Sequence, residues 1–236
     1  MSDRRSVRRA LVLAGVGGVA AAGLLGPGAA SAQAESCPDV EVVFARGTAE
    51  PAGLGRVGQA FVDDLQSTLG GRTVSAYAVN YPASYDFLQS APVGAGDASA
   101  RIQATAASCP STSIVVGGYS QGAAAVDLIT ADPNATFGFG QPMPAAVADH
   151  VAAVAVFGNP SNKIGRPLTA ISPLYGVKTI DLCNGADPVC SNGDDRPAHS
   201  QYVQTGLTRQ AADFVAGRIP AQGATGAVTN LSAAVG

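Results

Sequence analysis

Charge is scarce in this 236-residue chain: Asp, Glu, Lys and Arg make up 13% of it, about half of the roughly 25% usual in soluble proteins. Four of the fourteen basic residues (Arg4, Arg5, Arg8, Arg9) and one of the seventeen acids (Asp3) fall in the first 32 positions. That leaves ten cations against sixteen anions from residue 33 onward, a formal charge of −6. Such a body offers no basic stripe to displace counterions from phosphates, so no nucleic-acid partner is expected. Histidine is scarcer still, with only His150 and His199, and the four cysteines include no C-x2-C pair. No metal site is expected on that donor set. The chain also has no internal repeat, and with 47% hydrophobic residues and 29 glycines it fits one globular domain rather than a disordered segment.

An uninterrupted apolar run long enough for a membrane span is missing too. The stretch 10–25 is broken by Gly15, Gly17, Gly18 and Gly23, which disfavours a stable spanning helix, and no stable membrane anchor is expected. The stretch instead follows arginines and precedes Gly26-Pro27 and two overlapping A-x-A sites, Ala30-Ser31-Ala32 and Ala32-Gln33-Ala34. This is the layout of a secretory signal over residues 1–32, cleaved after Ala32 or Ala34, and it implies a secreted, extracellular protein. The paired arginines leave both the general and the twin-arginine export routes open. All four cysteines (Cys37, Cys109, Cys183, Cys190) lie in the exported part, where two disulfides are expected. Of three possible connectivities, the closeness of Cys183 to Cys190 favours 37–109 with 183–190.

Short β-branched runs at 40–45, 74–79, 114–119, 151–157 and 178–182 alternate with helix-like segments. The pattern predicts an α/β fold, a three-layer α/β/α sandwich around a small five-stranded parallel sheet. Val57, Phe61, Val62, Leu65 and Leu69 share one helical face. Further helices are predicted at 97–108, from Gln121 to Thr130, and at 205–216. The domain is expected to span 36–219, followed by a mobile tail over 220–236 that has no apolar periodicity.

The chemistry is concentrated where the third strand ends. Gly118-Tyr119-Ser120-Gln121-Gly122 is a G-x-S-x-G between an apolar strand and an alanine-rich helix, the setting of a nucleophile elbow. The two glycines are expected because strand and helix pass too close for a Cβ there, and Ser120 is expected in a strained backbone conformation. A serine hydroxyl needs a base, and histidine has a suitable pKa. His150 precedes the fourth strand and falls at the wrong end of a parallel sheet, whereas His199 follows the last strand on the right side. The acid that orients it should lie between them in sequence; Asp187 follows the fifth strand inside the Cys183–Cys190 segment. Asp181 lies within a strand, and Asp194 and Asp195 read as a solvated acidic loop. The backbone N–H of Gln121 and the N–H and hydroxyl of Thr48, after the first strand, are the expected oxyanion donors. Leu88, Val189 and the stretch 81–87 are expected to form an apolar acyl-binding rim.

Three segments together resemble the cutinase family of small secreted serine esterases: Phe44-Ala45-Arg46-Gly47-Thr48, the G-Y-S-Q-G above, and Cys183-Asn184-Gly185-Ala186-Asp187-Pro188-Val189-Cys190. The resemblance runs from Cys37 to about Arg218. It implies an α/β-hydrolase-like core, a Ser120, Asp187, His199 triad, a Thr48 and Gln121 oxyanion hole, and the same two disulfides. It further implies a lidless, shallow site, no cofactor, an ester substrate (lipid, polyester or acylated polymer) with a short to medium acyl chain, and a monomer. Two departures stand out. Thr48 replaces the serine of the best-known members, and residues 191–198 are polar where polyester-cleaving members carry an apolar lip. The rival readings are an acetylxylan esterase of the same wider family and a non-catalytic secreted cell-wall or polymer-binding protein.

Overall fold

The computed structural model describes residues 37–136 and 139–221. The expected signal segment and most of the expected tail lie outside the described residues. Five strands pair in parallel throughout: β1 (Val40–Ala45), β2 (Val74–Ala78), β3 (Ser113–Tyr119), β4 (Val151–Phe157) and β5 (Thr179–Leu182). Their order across the sheet is β2-β1-β3-β4-β5. The three central strands are almost wholly buried and the two edge strands only partly so. This accounts for the unbroken apolar runs in the centre, as expected of a sheet covered on both faces.

Helices α1 (Gly55–Leu69) and α6 (Leu207–Ala216) cover one face, and the short α4 (Pro160–Lys163) and α5 (Leu168–Ile171) lie between β4 and β5 in the chain. On the α1/α6 face Phe44, Phe61 and Phe157 pack ring against ring, with centroids 5.8–6.3 Å apart. On the other face, α2 (Phe87–Ser108) and α3 (Gln121–Thr130) bury Ile102, Val126 and Ile129 against Val43, Val116 and Val154. The three-layer sandwich is therefore as expected.

Two boundaries differ by more than one residue from the sequence reading. α2 begins at Phe87 rather than at residue 97. Pro92, Gly94 and Gly96 read as loop, yet Ser90, Ala91, Gly94, Ala95, Ala98, Ile102 and Thr105 form one buried helical face of small residues. α6 starts at Leu207, because 202–206 form turns. The disulfide Cys37–Cys109 ties the entry of β1 to the end of α2, and Cys183–Cys190 closes a short loop after β5.

One consequence of the strand order positions the site. The chain leaves β1 toward β2 on one side and returns to β3 on the other, so the sheet's topological switch lies between β1 and β3. Ligands of open parallel sheets bind at the carboxyl ends of the strands beside such a switch.

Candidate active site

Ser120 sits at that place, half-buried, directly after β3 and before α3. Its backbone has φ 55° and ψ −116°, in the left-handed half of the map where a side chain is disfavoured. The conformation is held by a hydrogen bond from Ser120 N–H to Phe157 O, 2.8 Å. A Cβ at Gly122 would lie 1.9 Å from Ala45 O, and one at Gly118 would lie 2.3 Å from Gly122 O. Both glycines of the motif therefore let helix, strand and loop approach to the distance that the elbow requires, as expected.

His199 approaches from a single 3-10 turn, Arg196–Ser200. Its Nε2 lies 2.9 Å from Ser120 Oγ and its Nδ1 lies 2.7 Å from Asp187 Oδ2. With the proton on Nδ1, the ring donates to the carboxylate and accepts from the serine hydroxyl. The imidazole, 22% exposed at its side chain, is stacked on Tyr119 at 5.0 Å between centroids and meets Tyr202 edge-on at 6.4 Å. The Tyr119 hydroxyl donates to His199 O. Burial, with Glu50 close by, pushes the Tyr119 phenol up to about 12. Gly158, at φ 59°, lies beneath the ring; a Cβ there would come within 3.0 Å of His199 Cε1.

Asp187 is fully buried and well supplied with donors. Val189 N–H donates to Oδ1 at 2.8 Å, and the Tyr202 hydroxyl donates to Oδ2 at 2.7 Å, the oxygen that also faces His199. Burial, reinforced by the Asp187 carboxylate, raises the pKa of the Tyr202 phenol. The Asp187 loop is fixed to the histidine turn by Asn184 Nδ2–H to Ala198 O (2.7 Å) and Asp195 N–H to Ala186 O (3.1 Å). Asp195, read as solvated from the sequence, is exposed but also caps the histidine turn, accepting from Ala198 N–H. His150 ends the 3-10 segment before β4, at the opposite edge of the sheet.

Thr48 lies in the turn after β1, and the backbone two residues before it approaches the start of α3 across the switch, where a Cβ at Gly122 would lie 2.7 Å from Arg46 O. Sequence reasoning missed what holds this turn. Arg46, buried beneath it, donates from Nε to Glu50 O and from Nη2 to Tyr81 O, both at 2.9 Å. Glu50 accepts from Gly47 N–H and Arg56 N–H. Gln121, at the first position of α3, joins the opposite wall: its Nε2–H donates to Ser84 O at 2.7 Å and its Oε1 accepts from the Ser90 hydroxyl at 2.9 Å. None of these partners carries a local motif; a fold is needed to bring residues 46, 81, 84, 90 and 121 together.

The two rim residues part company. Leu88 is 76% exposed and lines an apolar cavity beside α3. Val189 lies outside that lining, half-buried, and serves Asp187 through its backbone.

Comparison with known proteins identifies the family. A family model described as Cutinase matches residues 36–219. Phospholipase Culp4 of Mycobacterium tuberculosis is 52% identical over 214 residues, covering 91% of this chain and 93% of the relative. Carboxylesterase Culp1 of Mycobacterium bovis is 54% identical over 198 residues, covering 81% and 87%. Among solved structures, a Trichoderma reesei cutinase in complex with a phosphonate inhibitor superposes with TM-score 0.62 at 33% identity, covering 78% of each chain. The catalytic core of acetyl xylan esterase from the same organism gives 0.66 at 28% identity, covering 77% of this chain and 99% of that one. With its family match spanning the whole described domain and its relatives more than half identical across most of their length, the chain belongs to the cutinase family.

Proposed function

We propose that this protein is a carboxylic-ester hydrolase in which Ser120 is the nucleophile, His199 the general base and acid, and Asp187 the group that orients the imidazole. The observation that carries this reading is the unbroken relay Oγ–Nε2 at 2.9 Å and Nδ1–Oδ2 at 2.7 Å. His199 takes the hydroxyl proton as Ser120 Oγ bonds to the acyl carbon. The same proton then passes to the departing alcohol, leaving an acyl-serine. Water, deprotonated in turn by His199, attacks that ester, and the acid is released as His199 returns the proton to Ser120 Oγ. The oxyanion formed at each attack is met by Gln121 N–H, whose place at the start of α3 leaves it without an intrahelical acceptor, and by Thr48. No cofactor enters the scheme.

The substrate class follows the relatives, named a phospholipase and a carboxylesterase: esters with aliphatic acyl chains. Removal of acetyl groups from a polysaccharide is the second reading, favoured by the likeness to the acetyl xylan esterase core and by the polar, largely exposed 191–198 segment. The protein is proposed to act outside the cell as a monomer, after removal of residues 1–32.

Hydrolysis of p-nitrophenyl esters from acetate to palmitate, with labelling by a fluorophosphonate probe, tests the assignment. Activity and labelling are both expected, and Ser120→Ala is expected to lose both, with kcat falling by at least ~10⁴-fold. Activity on acetate alone favours sugar deacetylation. Absence of both activity and labelling overturns the catalytic reading in favour of a binding protein.

A further inference from the structure

Tyr119 holds the second position of the G-x-S-x-G motif, where the elbow itself asks for no particular side chain. It is nonetheless large and buried. The pleat of β3 sends Val115 and Tyr119 to the same face of the sheet, the α1/α6 side, and three contacts meet there on the one side chain. Its ring stacks on the His199 imidazole, with the planes inclined by 29°. Its hydroxyl donates to His199 O. The same ring passes over Gly47, where a Cβ would come within 2.6 Å of Tyr119 Cδ1 and 2.7 Å of Cε1. Gly47 is the residue before Thr48.

We propose that Tyr119 is a positioning residue that registers both His199 and the oxyanion turn at 46–50 against the nucleophile. The assignment rests on the catalytic reading given above and adds to it a residue that never meets the ester. Tyr119 and Ser120 share a peptide bond, so the tyrosine is anchored to the nucleophile itself. The histidine turn, by contrast, is tied chiefly to the Asp187 loop, through Asn184 Nδ2–H to Ala198 O, Asp195 N–H to Ala186 O and His199 Nδ1 to Asp187 Oδ2. Those bonds fix the base relative to the acid and leave its distance from the serine to other contacts. Among the described residues, the hydrogen bonds that run from β3 and the elbow to that turn are the Tyr119 hydroxyl to His199 O and the Oγ–Nε2 contact. The reach of the phenol therefore sets the depth at which the turn docks, and the flat ring sets the plane of the imidazole. Because Gly47 leaves room for that ring, the place of the oxyanion turn depends on it as well. Geometry of this kind matters to rate, since a displacement of about 1 Å can cost ~10²-fold.

Steady-state hydrolysis of p-nitrophenyl butyrate by three variants, with NMR of the imidazoles, tests the proposal. Tyr119→Phe keeps the ring and removes the bond to His199 O, and kcat should fall about tenfold with KM within about twofold. Tyr119→Leu removes the ring as well and should lower kcat by ~10²-fold or more. Tyr119→Phe, which changes a single hydroxyl, carries the test if the leucine variant does not fold. Gly47→Ala crowds the ring and should lower kcat about tenfold in the parent, and that loss should shrink at least about fivefold in the Tyr119→Leu background, where no ring is left to displace. The chain has only two histidines, so protein without a histidine tag gives separate signals for His150 and His199 whether or not it cleaves esters. The ring-current displacement of the His199 signals should persist in Tyr119→Phe and collapse in Tyr119→Leu, with the His150 signals unmoved. That result supports the docking role even if Ser120 proves inactive. Values of kcat within twofold of the parent in both Tyr119 variants overturn the proposal, as do His199 signals that ignore Tyr119→Leu. Hydrolysis that is still lost in Ser120→Ala would then leave the catalytic reading standing.

Discussion

The two edges of the sheet are built to different ends. At the amino edge, Cys37–Cys109 clamps the entry of β1 to α2, Asp39 and Thr73 exchange hydrogen bonds at 2.8 Å, and the Thr112 hydroxyl donates to Pro38 O. At the carboxyl edge lie Ala49, Ala83 and Ser120, all the non-glycine residues with positive φ among the described residues. Each such conformation costs on the order of 1–3 kcal/mol. They follow β1, β2 and β3 in turn, and Ala49 N–H donates to Ala83 O at 2.7 Å, so two of them hold each other in place. The contrast teaches that the fold concentrates ordinary, satisfied bonding at one edge and holds a strained, preorganised arrangement at the other.

The sharpest way to break the comparison uses the two histidines, one at each edge. His199→Ala should lower kcat by at least ~10⁴-fold, and His150→Ala should leave it within twofold. Comparable losses in steady-state ester hydrolysis would remove the functional distinction between the edges.

The two disulfides come next. Cys37→Ser/Cys109→Ser should cost up to ~4 kcal/mol in denaturant unfolding, by the loop-entropy model, with kcat at 25 °C unchanged within twofold. Cys183→Ser/Cys190→Ser frees the loop that carries Asp187, and kcat should fall about tenfold or more while the midpoint of unfolding moves less. Equal effects of the two pairs on rate and on stability would show that both bridges are purely structural.

Tyr202→Phe sharpens the picture within the active edge. It removes the hydroxyl that donates to Asp187 and accepts from Asn184 N–H. Partners of this kind are worth roughly 10–100-fold when they orient a functional group. The loss should appear in kcat with KM held, whereas a merely structural role would lower the unfolding midpoint and leave kcat alone.

The smallest effect is expected at Asp127. Burial pushes its carboxyl up to about 7, against the hydrogen bond from Asn159, with the nearby Asp181 adding to the rise. The folded protein thus keeps this proton at pH values where the unfolded chain has released it, so the associated stability is present below about pH 4 and is lost as pH rises toward 7. Asp127→Asn should flatten that decline and leave the variant more stable at pH 7 by on the order of 1 kcal/mol. This falls short of the full shift because the amide keeps only one acceptor. Parallel pH–stability curves for parent and variant would contradict the assignment.

Much of this architecture was legible in the residues. The five strands could be read because buried parallel strands must be continuous and apolar, and Ser120, His199 and Asp187 could be placed because the strand order puts loops on one edge or the other. The first ten residues of α2 were not legible: proline and two glycines signal a loop locally, and only packing against Tyr81 and α3 makes a helix of them. Nor were Arg46, Tyr202 and Ser90, whose roles depend on partners 12–35 positions away. The rim illustrates both outcomes, since Leu88 faces a cavity and Val189 does not. Their likeness as exposed-looking aliphatics in loops said nothing about which wall each would join.

The loop that carries Asp187 also has a temporal side. Its ends are joined by a bond that forms only under oxidising conditions. If the short bridge behaves as predicted, a freshly made chain in a reducing compartment holds a serine and a histidine but no fixed partner for them. Hydrolytic power would then arrive with the oxidation of two sulfur atoms.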